Sequence, residues 1–74
     1  MPADRGLLST VRELLLAAEE PPTSDAVAAA VGMPEEYSDF VERRLELNEE
    51  RGLVVRDEDG RWLLTPAGTS LAAR

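Results

Sequence analysis

The chain has 74 residues, enough for one domain built around one small core. Its 15 acidic and 8 basic residues leave a net charge of −7, which argues against a general attraction to DNA or to anionic lipid. There is no cysteine and no histidine, so disulfides, thiolate metal sites and the usual proton shuttle at neutral pH are all missing.

A core this small must then be held by helix packing or by a partner. All eight basic residues are arginine, and lysine, isoleucine and glutamine do not occur. That usage fits either a GC-rich genome or a halophilic, salt-loving cell. No apolar run approaches the roughly 20 residues that span a bilayer. "MPADRGLL" lacks the basic and apolar regions of a signal peptide, so a cytoplasmic location without membrane contact is expected.

The first periodic segment, "LLSTVRELLLAAEE", places Leu7, Leu8, Val11, Leu14, Leu15 and Ala18 on one helical face. Asp4 is the expected N-cap, and Pro21-Pro22 the expected stop. The second segment, "TSDAVAAAVG", can be capped by Thr23 or Ser24, with Asp25 suited to the positive end of the helix dipole. Val27, Ala30 and Val31 form its expected apolar stripe, and Gly32 suits a left-handed helix end. After the turn Gly32-Met33-Pro34, a third helix is expected from Pro34 to Glu50, stopping at Gly52. "LVVR", "DEDG" and "RWLLT" then read as a β-hairpin around an Asp-Gly turn. Thr65-Pro66 opens a last short helix, "PAGTSLAAR".

In this order, three stretches carry a resemblance: "TSDAVAAAVGMP", "ERGLVVR" and "DEDGRWLLTPAG". Together they resemble the helix-turn-helix junction, the passage from recognition helix to wing, and the wing with its Leu-Thr-x-x-Gly exit in winged helix-turn-helix transcription regulators of the MarR and ArsR types. The likeness covers nearly the whole chain. It implies an α+β fold over residues 1–74, with a three-helix core, a β-hairpin wing and a short C-terminal helix. It also implies a non-enzymatic, DNA-associated regulator that forms a homodimer. Three features depart from the pattern. Asn48 stands where an apolar residue is usual four positions before the helix-ending glycine, and Leu47 is displaced by one. The sequence ends soon after Gly68, without the long dimerising helix or effector domain of many relatives. The surface that would face DNA is acidic.

On a helical wheel, Tyr37, Phe40, Val41, Leu45 and Leu47 of the third helix share one broad arc, into which Arg44 and Asn48 intrude. The opposite arc holds Glu35, Glu36, Ser38, Asp39, Glu42, Arg43, Glu46, Glu49 and Glu50, seven carboxylates against one arginine. Acids in a first turn also suit the helix dipole of a plain solvated face.

If the resemblance extends to DNA, Arg43 and Ser38 would meet base edges and Arg44 a phosphate, while Arg56 and Arg61 anchor the wing. Other roles compete. Arg44 can pair with a neighbouring glutamate, and Arg56 and Arg61 with Asp57, Glu58 or Asp59. Trp62 is expected to pack in the core or wing rather than stack on a base, and Tyr37 to pack on the second helix. High salt would favour DNA contact, because the Debye length falls from roughly 8 Å at physiological salt to about 3 Å at molar salt. The alternative is a protein-interaction module, an adapter or DNA mimic, in which Glu35, Glu36, Asp39, Glu42 and Glu46 meet a basic partner. Leu47, if exposed beside Leu53 or the first helix, would instead seed a dimer. "DEDG" is too short for a calcium loop, and neither a phosphate loop nor a nucleophile–base pair is visible, so no metal, cofactor or catalytic site is expected.

Overall fold

The computed structural model describes residues 5–73, so the cap expected at Asp4 lies outside the described residues. The elements are α1 (Arg5–Ala17), α2 (Ser24–Ala30), a 3-10 turn (Glu35–Tyr37), α3 (Ser38–Glu50), β1 (Val54–Arg56), β2 (Trp62–Leu64) and α4 (Pro66–Ala72). The order helix, helix, helix, hairpin, helix is the α+β arrangement expected above and is compatible with a winged helix. No helix among the described residues is long and apolar enough to cross a membrane.

Each junction has a local cause. Thr23 caps α2 with its hydroxyl, which accepts from the Ala26 amide at 3.1 Å. Gly52, at φ +76°, turns the chain out of α3. The Leu53 amide then donates to the Asn48 carbonyl at 2.9 Å, which closes the helix end. In the hairpin Val54 pairs with Leu64, Val55 with Leu63, and Arg56 with Trp62. The tip is shaped by Asp57, whose Oδ1 accepts from the amides of Asp59 and Arg61, both at 2.9 Å.

Gly68 explains the Leu-Thr-x-x-Gly exit. Thr65 caps α4 by accepting from the Gly68 amide at 3.0 Å, while its own hydroxyl donates to the Gly52 carbonyl at 2.6 Å. Its amide donates to the Leu53 carbonyl at 3.1 Å. These bonds draw α4 so close to the residue before β1 that a Cβ on Gly68 would overlap the Leu53 carbonyl oxygen. Only glycine allows that approach.

The core joins Leu8 and Val11 of α1, Val27 and Ala28 of α2, Val41 and Leu45 of α3, and Val54 and Trp62 of the hairpin. Leu7, Leu14, Leu15, Leu53, Leu64 and Leu71 pack around it. Trp62 is the largest buried side chain, and cutting a residue of this kind to alanine costs about 3–5 kcal/mol.

Several expectations are corrected. α1 ends at Ala17, ahead of the prolines, and Ala18 is exposed. In α2 the buried pair is Val27 and Ala28, while Ala30 and Val31 are exposed. The third helix does not run smoothly from Pro34: a 3-10 turn precedes it, with Ser38 the first α-helical residue. Its buried stripe is Val41, Leu45 and Asn48. Tyr37, Phe40 and Leu47 are exposed instead, because the narrow contact of α3 with the core reaches only the i, i+4, i+7 positions that start at Val41.

Candidate functional site

α3 presents three sides. Val41, Leu45 and Asn48 face the core, and the Asn48 Nδ2 donates to the Arg44 carbonyl at 2.8 Å. The second side meets the wing. The third carries Asp39, Arg43, Glu49 and Glu50 outward; Glu35 and Glu36 are exposed on the 3-10 turn before the helix, and Glu46 is exposed at the edge toward the wing.

The wing-facing side is a polar network around Trp62. The indole Nε1 donates to the Ser24 Oγ at 2.9 Å. The Ser24 hydroxyl in turn donates to the Glu42 Oε1 at 3.2 Å. Arg56 stands opposite Trp62 in the hairpin register, which sets its guanidinium over the indole, 4.3 Å from the ring centroid. The same guanidinium reaches Glu46 at 3.0 Å and Glu42 at 3.8 Å. Glu42 and Glu46 are one helical turn apart, so a single arginine serves both. Four elements, α2, α3, β1 and β2, are thereby tied to one tryptophan.

Arg61 is turned the other way. Its Nη1 donates to the Pro21 carbonyl at 2.9 Å, and its Nη2 pairs with Glu20 at 3.3 Å. The Trp62 amide donates to the Pro22 carbonyl at 2.9 Å, so the α1–α2 connection is fastened along β2.

Of the five residues expected to meet DNA, Ser38, Arg43 and Arg44 lie on α3, and Arg56 and Arg61 are engaged within the chain. Arg43 is exposed and enters no ion pair among the described residues. Ser38 is half-buried at the start of α3, beside Asp25, Met33 and Glu35. Arg44 is half-buried on the flank toward α1, in a groove with Gly6 and Leu7. Arg56 and Arg61 are held by their own chain. Their partners are Glu42, Glu46, Glu20 and Pro21 rather than the expected Asp57, Glu58 or Asp59. Trp62 packs in the core, as expected. Of the five expected partner-binding acids, Glu35, Glu36, Asp39 and Glu46 are exposed, while Glu42 is half-buried and engaged with Ser24.

Sequence reasoning gave Ser24 only a capping role and did not single out Glu20. Neither residue carries a local signal for its contact, because the contacts join segments 18 and about 40 positions apart. It also passed over an apolar groove of about 400 Å³ between α1 and α3, lined by Leu7, Val31, Met33, Phe40, Val41 and Arg44 among others.

No protein-family model matches the chain, and no curated protein matches it. Among solved structures it is similar to an O-methyltransferase, NcsB1, from neocarzinostatin biosynthesis, in complex with S-adenosyl-L-homocysteine. The TM-score is 0.68 at 25% identity, and the match covers 96% of this chain and 23% of that one. The chain thus spans about a quarter of the length of the methyltransferase that it matches.

Proposed function

We propose that this chain is a non-enzymatic winged-helix module, akin in fold to the MarR and ArsR regulators, whose third helix binds a basic protein partner. The observation that carries the proposal is the engagement of both wing arginines. Arg56 is spent on Glu42, Glu46 and Trp62, and Arg61 on Glu20 and Pro21. DNA affinity rests on cations that displace condensed counterions, and arginine or lysine must hold the backbone before any base is read. With the wing arginines engaged, the outward face of α3 and the turn before it offer Arg43 against Glu35, Glu36, Asp39, Glu49 and Glu50, while Glu46 is paired with Arg56. Such a face repels phosphate at ordinary salt and attracts lysine and arginine.

The likeness to part of a methyltransferase supports a use other than DNA reading, since one fold hosts many jobs. The absence of cysteine and histidine supports a binding role over a catalytic one.

Fluorescence anisotropy with two probes tests this: a mixed-sequence DNA duplex, and a flexible Gly/Lys peptide without helical propensity. Binding of the peptide is expected at about 50 mM salt and should fade toward about 1 M as the charges are screened. The duplex is expected to stay free at low salt. Duplex binding at low salt, with the peptide unbound, would overturn the proposal in favour of a DNA-associated regulator.

A further inference from the structure

We propose that the groove beside α3 is the seat for the apolar face of a cationic amphipathic helix supplied by the partner protein. This rests on the partner-binding role proposed above and adds where and in what form that partner docks.

Small soluble domains do not usually leave their large apolar side chains exposed in one stripe. Here Phe40 and Leu47 of α3 are 53% and 38% exposed, Tyr37 of the preceding 3-10 turn is 49% exposed, and Val31 and Met33 past the α2 end are exposed beside Phe40. Phe40, Met33 and Val31 line the groove with Leu7, and Gly6 leaves its floor open, with nothing within 4 Å of where a Cβ would stand. From Phe40 to Leu47 the exposed flank of α3 runs seven residues, about 10 Å at the helical rise. Two to three turns of a partner helix, with apolar anchors at i, i+3 or i+4, and i+7, match that length.

Charge selects among the possible occupants. Asp25 and Glu35 line a neighbouring recess that shares Met33 with the groove, Glu36 and Asp39 are exposed in the adjoining turns, and Arg44 lines the groove itself. A second copy would bring its own net charge of −7 against this rim. Nucleic acid and anionic lipid meet the same opposition. A helix with one apolar face and lysine or arginine at its edges satisfies both the groove and the rim.

The test uses three peptides and the 74-residue chain. The first is a cationic amphipathic helix with leucine on one face. The second is the flexible Gly/Lys peptide of equal charge, and the third is the amphipathic helix with every lysine replaced by glutamate. The cationic helix should bind at least about ten-fold tighter than the flexible peptide. Phe40→Ser should remove that advantage and leave the flexible peptide's affinity unchanged. Met33→Ser should act in the same direction, and circular dichroism of both variants checks that the fold is kept. The glutamate peptide should bind at least about ten-fold more weakly than the cationic helix.

Equal affinity for the cationic helix and the flexible peptide would overturn the groove assignment and leave the charge-based role standing. Loss of all peptide binding would overturn both. Equal binding of the glutamate peptide would overturn the charge selection. Self-association in sedimentation that Phe40→Ser abolishes would give the groove to a second copy instead.

Discussion

Arg56 decides whether the wing has a cation to offer, so its replacement by alanine is the most instructive perturbation. The substitution removes contacts to Glu46 at 3.0 Å and Glu42 at 3.8 Å, and the stack 4.3 Å above Trp62. The three side chains are 32%, 48% and 45% exposed for Arg56, Glu46 and Glu42, so water screens the ion pairs strongly. Pairs in such settings contribute roughly 0.2–1 kcal/mol. The stack on the indole adds about 0.5–1 kcal/mol, and the aliphatic stem covers apolar surface. Together Arg56→Ala should cost about 1–2 kcal/mol, and in a domain of this size each kcal/mol lowers Tm by roughly 4–8 °C. Urea unfolding followed by far-ultraviolet circular dichroism measures this without relying on Trp62 emission, which the substitution itself perturbs. In about 1 M salt the ion-pair part should shrink while the stacking part persists. A variant as stable as the parent within about 0.3 kcal/mol would mean that Arg56 stands free in solvent, and the grounds for withdrawing the wing from DNA would be gone.

Three further outcomes follow from the packing. Gly68→Ala should destabilise by about 2 kcal/mol or more in the same unfolding assay, because the new methyl meets the Leu53 carbonyl oxygen and α4 must be displaced. Ser24→Ala should cost about 1–2 kcal/mol in the same unfolding assay, since the buried Trp62 Nε1 loses its acceptor. Leu45→Ala should cost about 2–5 kcal/mol, whereas Leu47→Ala should stay within about 0.5 kcal/mol. The comparison by thermal melts tests the phase of α3, in which Leu45 is buried and Leu47 exposed.

Much of this fold was legible because its signals are local. Thr23 before α2, Gly52 after α3, the Asp-Gly wing turn and Thr65-Pro66 before α4 each act within a few residues of themselves. The phase of α3 was not legible. A wheel drawn at a uniform 100° per residue from Pro34 ignores the tighter 3-10 turn at Glu35–Tyr37. It also favours apolar residues for the core, so it turned Leu47 inward and treated Asn48 as an intruder. In the fold Asn48 is buried, with its amide donating to the Arg44 carbonyl at 2.8 Å, and Leu47 is left to solvent.

The wing arginines show a second limit. Asp57 is the carboxylate next to Arg56 in sequence, but its Oδ1 is taken by two amides of its own turn. The arginines are satisfied instead by Glu42 and Glu46 on α3, and by Glu20 and Pro21 in the α1–α2 connection. Those partners depend on how α3 and the connection lie against the hairpin, which no local pattern states. Six of the seven carboxylates on the expected outer arc are exposed, as a helix with one buried stripe turns its charged arc to water, while Glu42 is half-buried against Ser24.

The central claim is that the outer side of α3 receives cations and turns away phosphate. Amide chemical shifts of the labelled protein, titrated at about 0.1 M salt with the cationic amphipathic helix and separately with a DNA duplex, test it most directly. The peptide should shift residues 33–47 and the neighbouring end of α1, and the duplex should shift nothing. Shifts along α3 and the wing with the duplex, and none with the peptide, would contradict it.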